Sequence, residues 1–139
     1  MTNISSRNIL VIHGPNMNLL GLRQMGARGR ITLNKLNRHL RTISKETGIS
    51  LTIIQTNDEN RAVNHLQSHR KKIKGILLFP GPWQQSGHVI KDTLQILSIP
   101  CITVSIGEKA NVLKEIKNVE EEDVYKSSEK ALTVLADLI

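Results

Sequence analysis

The sequence predicts an α/β protein whose open, parallel β-sheet is covered by helices on both faces. Two observations carry this prediction. Four short apolar runs rich in Ile, Leu and Val have the length and composition of buried strands, and turn-forming residues bound each of them. Between these runs, apolar residues recur three and four positions apart, which is the spacing of an amphipathic helix. Strands and helices that alternate in this way form right-handed βαβ units.

The predicted strands are separated by segments long enough for a helix. They are residues 9–13 (ILVIH), 51–55 (LTIIQ), 75–79 (GILLF) and 101–105 (CITVS). The first run stops at Gly14, Pro15 and Asn16, a sequence typical of a loop. A further strand is expected between Glu108 and Glu122, where a helical period and a run of charged residues overlap and leave its position open.

Each predicted helix follows a residue that can cap its N terminus. These residues are Thr32, Asn57 or Asp58, Ser86 and Asp123. The first helix is expected to end at Gly48. Because strand and helix alternate four times, a flavodoxin-like sheet fits best. A chain of 139 residues has room for one domain of this kind, residues 1–139, and is too short for two.

The net charge of +7 is concentrated in the first half of the chain. Residues 1–74 hold 13 Lys and Arg against 3 Asp and Glu, whereas residues 75–139 hold 6 against 9. This distribution favours an anionic partner, such as a phosphorylated metabolite, a nucleotide or nucleic acid, although a solvated basic face is also compatible with it. The aromatic residues Phe79, Trp83 and Tyr125 are too few for a base-stacking surface, so nucleic acid ranks last.

Several other classes of protein do not fit the sequence. No run approaches the roughly 20 apolar residues of a membrane span, and the start MTNISSRN lacks the pattern of a secretory signal, so a cytosolic protein is expected. The single cysteine, Cys101, cannot form an internal disulfide and lies in an apolar run typical of core packing. No spacing among the histidines, Cys101 and the acidic residues indicates a metal site, and no cofactor is expected.

The loop after the first strand carries a specific resemblance. The segment ILVIHGPNMNLLGLR, residues 9–23, resembles the first strand and following loop of type II 3-dehydroquinate dehydratases, which read NGPNLNLLG and then REP-x-x-YG. Further landmarks follow in the family's order, namely residues 32–33 (TL), 55–57 (QTN), 80–81 (PG), 90–92 (IKD) and 99–100 (IP). The resemblance covers most of the chain, weakens after residue 107 and implies the same flavodoxin-like fold.

The resemblance also implies an activity and a set of catalytic positions. In the family, a lid tyrosine activated by an arginine takes a proton from carbon of 3-dehydroquinate, and a histidine protonates the departing hydroxyl. An asparagine of the GPN loop holds the water that stabilises the enolate. Asn16 and Arg23 match the asparagine and the lid arginine, but Arg28 stands at the tyrosine position and Gln85 at the histidine position. A guanidinium cannot serve as a base, and an amide does not titrate.

Other positions of the family pattern differ as well. Phe79 replaces an asparagine that contacts substrate in the family, and residues 105–108 (SIGE) replace H-[LIV]-S-N. A basic residue expected further along could be only Lys114 or Lys117. General acid and general base steps each contribute roughly 10²–10⁴-fold, so losing both removes most of the activity unless other groups replace them.

Three hypotheses about function follow from these departures. The leading one is a non-catalytic dehydroquinase-like protein that sequesters or senses a small anionic ligand, either nucleotide-like or phosphorylated. The alternative is an active 3-dehydroquinate dehydratase of the shikimate pathway with relocated catalytic groups. The third is a nucleic-acid-binding protein.

The candidate ligand-binding residues combine positions that the resemblance places around the pocket with the arginines of the expected lid, residues 21–30. They are Asn16, Arg23, Arg28, Arg30, Gly81, Trp83, Gln85, Ser86, His88, Asp92, Ser105 and Ile106. The N terminus of the helix after Ser86 is expected to add backbone donors for an anion. Trp83 either stacks on a planar ligand or packs between subunits.

Two histidines near the expected pocket have alternative roles. His88 either replaces the missing acid or, as general considerations favour, lies on the surface at a helix N terminus. His13 either donates a hydrogen bond into the pocket or satisfies the backbone of the GPN loop. The resemblance further implies a homo-oligomer of trimers assembled into a dodecamer, with Asp92 near the pocket of a neighbouring subunit.

Overall fold

Five parallel strands form the sheet in this computed structural model, which describes residues 7–23 and 30–139. The strands are β1 (Asn8–His13), β2 (Ser50–Gln55), β3 (Gly75–Phe79), β4 (Cys101–Val104) and β5 (Lys117–Val119). Their order across the sheet is β2-β1-β3-β4-β5, and every neighbouring pair is parallel. This is the strand order of a flavodoxin-like sheet, so the predicted fold class is confirmed.

Helices cover both faces of the sheet. The elements are a 3-10 turn η1 (Met17–Leu19) and the helices α1 (Leu20–Arg23), α2 (Leu33–Thr47), α3 (Glu59–His69), α4 (Trp83–Ser86), α5 (His88–Leu97) and α6 (Val124–Leu138). Helices α2 and α6 pack on one face with Ile9 and Val11 of β1, whereas α3 and α5 pack on the other face with Leu10 and Ile12. Because successive side chains of β1 point to opposite, buried faces, the strand is continuously apolar.

Three of the predicted helix caps are confirmed. The side chain of Thr32 accepts a hydrogen bond from a backbone N–H of the first turn of α2 at 3.2 Å. The carboxylates of Asp58 and Asp123 do the same for α3 and α6, each at 2.9 Å. Helix α2 ends at Gly48, whose φ of 73° is the left-handed conformation that glycine adopts without strain.

The predicted cap at Ser86 is wrong. Ser86 is the last residue of the short helix α4, and Gly87 precedes α5. The N–H of Gly87 donates to the carbonyl of Trp83 at 2.8 Å, and a Cβ at position 87 would lie 2.6 Å from that oxygen, so the turn requires glycine. Helix α4 was not recognised in the sequence because four residues are too few to show a helical period.

The fifth strand lies within the segment where the sequence predicts a further strand. β5 is an edge strand that pairs with β4. The side chain of Asn118 on β5 accepts hydrogen bonds from Thr103 Oγ1 at 2.7 Å and from Ser105 Oγ at 2.9 Å. These bonds attach β5 and the residue that follows β4 to each other.

Cys101 packs as a small apolar residue. It contacts the core on the α3 and α5 face, and burial raises the pKa of its thiol to about 12, so the thiol stays protonated.

None of the helices in the described part of the chain is long and apolar enough to cross a membrane.

Candidate functional site

A cleft of about 440 Å³ opens where the carboxyl ends of β1, β3 and β4 meet. The chain leaves β1 toward β2 on one side and β3 lies on the other side, so the cleft is at the point where the strand order reverses. Open parallel sheets bind their ligands at this point. The lining residues are Pro15, Asn16, Leu19, Leu22, Arg23, Pro82 and Glu108.

The loop after β1 is held against the end of β3. The N–H of Gly14 donates to the carbonyl of Phe79 at 2.9 Å. A Cβ at position 14 would lie 2.6 Å from that oxygen and 3.0 Å from the ring of Trp83. Since real side chains do not tolerate such a distance from backbone, the close approach of the two loops depends on glycine.

Asn16 lines the cleft in an uncommon backbone conformation. Its φ of 68° places it in the left-handed region, which asparagine tolerates better than most residues. Its backbone N–H donates to Asn57 Oδ1 at 3.0 Å, and Gln55 Nε2 donates to the same oxygen at 3.2 Å. The end of β2 therefore orients the loop that carries Asn16.

Arg23 and Glu108 face each other across the cleft. Arg23 Nη2 lies 3.4 Å from Glu108 Oε2, and their side chains are 38% and 20% exposed. The same Nη2 lies 3.5 Å from the carbonyl oxygen of Ile106. Glu108 Oε1 accepts a hydrogen bond from the N–H of Ile106 at 3.0 Å, which fixes the orientation of its carboxylate. A cation and a proton acceptor are thus placed side by side in the cleft.

The loop after β4 is attached to neighbouring elements at several points. The N–H of Gly107 donates to Glu120 Oε2 at 2.8 Å, and Gly107 has a φ of 88°. Further along, Oε1 of the buried Gln84 accepts hydrogen bonds from the N–H groups of Asn111 at 2.9 Å and Leu113 at 3.3 Å. These contacts hold the segment that carries Glu108 against α4.

The structure brings only part of the predicted ligand-binding set to the cleft. Asn16 and Arg23 line it, Ile106 contributes backbone contacts at its edge, and Gly81 lies in the adjacent turn with a φ of 50°. Arg28 lies outside the described residues. Arg30 is exposed and does not line the cleft.

The other predicted residues have different surroundings. Gln85 Oε1 accepts a hydrogen bond from Asn111 Nδ2 at 3.1 Å. Ser105 is buried and its hydroxyl is bonded to Asn118, so it does not line the cleft. Ser86, His88 and Asp92 are not among the residues that line the cleft.

Trp83 and the N terminus of α5 differ from the sequence-based expectation. Trp83 is 4% exposed and belongs to the core on the α3 and α5 face, so it neither stacks on a ligand in the cleft nor packs between subunits. At the start of α5, the N–H of Ile90 donates to Glu59 Oε2 at 3.2 Å. The carboxylate of Glu59 therefore accepts from a backbone N–H that was expected to bind an anionic ligand.

His13 is buried beneath the site and takes neither of its two expected roles. Its Nε2 is 2.8 Å from Asn37 Oδ1 on α2, and its ring lies on that of Phe79 with centroids 4.6 Å apart. Burial lowers the pKa of His13 to about 4, although the hydrogen bond to Asn37 acts in the opposite direction. The imidazole is therefore neutral at pH 7.

Glu108 is the charged residue of the cleft that was not predicted from the sequence. The other lining residues outside the predicted set are Pro15, Leu19, Leu22 and Pro82. In the sequence, Glu108 belongs to a segment that departs from the family pattern, whereas in the structure its carboxylate lies 3.4 Å from Arg23. The available signal was its position, because residues that follow the carboxyl end of a parallel strand reach the ligand-binding edge of the sheet.

Within residues 7–23 and 30–139, no group of three or more His, Cys, Asp or Glu side chains is arranged to hold a metal ion.

Comparisons with known proteins agree with this fold. A family model described as dehydroquinase class II matches residues 7–121. The chain is 37% identical over 100 residues to a 3-dehydroquinate dehydratase of Trichodesmium erythraeum (strain IMS101), covering 72% of this chain and 67% of that protein. It is 35% identical over 101 residues to a 3-dehydroquinate dehydratase of Endomicrobium trichonymphae, covering 73% and 71%. A crystal structure of type II dehydroquinase from Propionibacterium acnes superposes with a TM-score of 0.83 at 27% identity, covering 95% and 97%.

These relatives contradict the leading hypothesis drawn from the sequence. That hypothesis was a non-catalytic protein that sequesters or senses an anion, and it relied on the residues at positions 28 and 85. The relatives over most of the chain are named as enzymes, so the non-catalytic interpretation is wrong and the enzyme alternative is favoured. The departures that favoured it concern two positions, whereas the similarity to the enzymes extends over most of the fold.

Proposed function

The chain belongs to the class II dehydroquinase family, and on this basis we propose that it is a 3-dehydroquinate dehydratase whose reaction takes place in the cleft between Asn16, Arg23 and Glu108. The reaction removes water from a β-hydroxy ketone and leaves an enone. The observation that supports the proposal is the similarity to enzymes of this name over about three quarters of the chain. The retained Asn16 and Arg23 add to it, because both line the cleft.

The cleft has the chemical character that this substrate requires. 3-Dehydroquinate is a small carboxylate with several hydroxyl groups, and a guanidinium such as that of Arg23 binds a carboxylate through charge-assisted hydrogen bonds. Leu19 and Leu22 form an apolar wall that can pack against the carbon ring. The resemblance assigns the water that stabilises the enolate to Asn16.

The catalytic groups of this chain must differ from those of the family pattern. The amide of Gln85 cannot exchange a proton at neutral pH, and neither can a guanidinium at the tyrosine position. The proposed enzyme is therefore one with relocated catalytic groups. The homo-oligomer, a trimer or a dodecamer with Asp92 near a neighbouring pocket, remains a proposal that rests on the family resemblance. The cytosolic location remains a proposal that rests on the lack of a long apolar run in the sequence.

The direct test is an assay of the purified protein with 3-dehydroquinate, followed by the absorbance of the enone product. We expect turnover that depends on enzyme concentration. Because the tyrosine and histidine of the family pattern are replaced, the rate is expected to be lower than that of a family member that retains them, by roughly 10²-fold or more. A rate equal to the buffer blank at high enzyme concentration would refute the proposed function.

Replacement of Arg23 by alanine is expected to weaken substrate binding. A charge-assisted hydrogen bond contributes about 1.5–3 kcal/mol, so KM is expected to rise by about ten- to a hundredfold. The matched control is Arg30→Ala, since Arg30 is exposed and does not line the cleft. Steady-state kinetics of both variants provide the measurement. Equal KM values in the two variants would exclude Arg23 as a substrate ligand.

A further inference from the structure

We propose that Glu108 is the catalytic base of this chain, an inference that rests on the proposed dehydratase function. Loss of water from a β-hydroxy ketone begins with removal of a proton from the carbon between the ketone and the carbon that bears the hydroxyl. That step requires a group able to accept a proton within reach of the bound substrate. The candidates are the residues that line the cleft.

Among the described residues that line the cleft, one side chain is able to accept a proton from carbon. Pro15, Leu19, Leu22 and Pro82 have no side-chain proton acceptor, and the amide of Asn16 is not basic. The guanidinium of Arg23 is always protonated. Glu108 supplies the remaining side chain, and its carboxylate accepts protons.

The geometry of Glu108 suits this role. Oε1 is held at 3.0 Å by the N–H of Ile106, so the orientation of the carboxylate is defined. Oε2 lies 3.4 Å from Arg23 Nη2, which is longer than the roughly 2.7–2.9 Å of a strong charge-assisted hydrogen bond. This oxygen therefore keeps lone pairs available to a substrate. With 20% of its side chain exposed, Glu108 is partly shielded from water yet accessible from the cleft.

Arg23 complements the carboxylate through its positive charge. The guanidinium next to Glu108 stabilises the negative charge that develops on the substrate during proton removal. It also holds the substrate's own carboxylate on the side of the cleft where Glu108 lies. Carboxylates act as bases beside ketones in other enzymes, so no unusual chemistry is required.

The proposed step balances without a cofactor. Glu108 Oε2 takes the proton, and the electron pair of the broken C–H bond forms an enolate. The enolate then expels the hydroxyl group as the C–O bond breaks, and the proton on Glu108 passes to the departing oxygen to form water. The carboxylate is regenerated. A single group can thus perform the work that the family pattern divides between tyrosine and histidine.

The test compares Glu108→Gln with Glu115→Gln. Glu115 also carries an ion pair, to Lys91 at 3.1 Å, but it is 58% exposed and lies outside the cleft. We expect Glu108→Gln to lower kcat by about 10²-fold or more with little change in KM, and to lose the fall of kcat/KM at acid pH that protonation of a base causes. Glu115→Gln is expected to match the wild type.

A second variant guards against an effect on folding. Glu108→Ala creates space for a small carboxylate, so added formate is expected to restore part of its activity in a saturable manner. Three results with an active wild type would show that Glu108 is not the base, while the dehydratase proposal stands. They are a kcat of Glu108→Gln within threefold of the wild type, a change in KM alone, and no effect of formate on Glu108→Ala. An inactive wild type overturns both proposals.

Discussion

Replacement of Gly14 by alanine is expected to destabilise the protein by about 3 kcal/mol and to remove most of the proposed dehydratase activity. A Cβ at this position would lie 2.6 Å from the carbonyl oxygen of Phe79, which accepts the hydrogen bond of the Gly14 N–H. The overlap can be relieved only if backbone atoms move, and this movement breaks the hydrogen bond between Gly14 and Phe79. Because the same loop carries Asn16, the displacement also alters the cleft.

Gly48→Ala is the matched control for this prediction. Gly48 has a φ of 73°, and a Cβ added there would meet no heavy atom within 4 Å, so alanine costs about 1 kcal/mol through backbone conformation alone. Urea unfolding curves of both variants, together with the enone assay, provide the measurement. If Gly14→Ala is no less stable and no less active than Gly48→Ala, the close contact between the two loops does not constrain the site.

Acidification from pH 7 to pH 4 is expected to cost the protein about 3 kcal/mol of stability through His13 alone. Burial lowers the pKa of His13 to about 4, from 6.5 for an unperturbed histidine. Between these two values the unfolded chain binds a proton that the folded chain does not bind, so the stability falls as the pH falls. Above the pKa of the unfolded chain, His13 is neutral in both states, and its protonation no longer lowers the stability.

A variant without a titratable group at position 13 isolates this effect. His13→Gln is expected to be less stable than the wild type at pH 7, since it disturbs the contacts with Asn37 and Phe79. Between pH 7 and pH 4, the difference in unfolding free energy should then move in favour of the variant by about 3 kcal/mol. His39→Gln is the control for loss of a histidine outside the core, since the His39 side chain on α2 is 28% exposed. A difference that is constant with pH would show that His13 titrates normally in the folded protein.

The local signals in the sequence predicted most of the fold. Apolar runs located four strands, and Thr32, Asp58 and Asp123 were identified as helix caps because a cap depends on one side chain and the N–H groups of the next turn. The order of elements then restricted the topology, since parallel strands joined by helices form a sheet of this kind.

Shorter elements were less accessible to the same reasoning. Helix α4 has four residues and β5 has three, so neither displays a period. The position of β5 is set by pairing with β4 and by the bonds of Asn118 to Thr103 and Ser105, which are contacts between segments distant in the chain.

The sequence by itself determined the alternation of strands and helices, the GPN loop and the two retained positions Asn16 and Arg23. Only the tertiary structure decided which side chains reach the cleft. It buries Trp83 in the core and brings the carboxylate of Glu59, on α3, to the N–H of Ile90 at the start of α5. It also brings Glu108 to Arg23, a residue 85 positions earlier in the chain. Such pairs arise from the packing of whole elements against one sheet, and no local propensity encodes them.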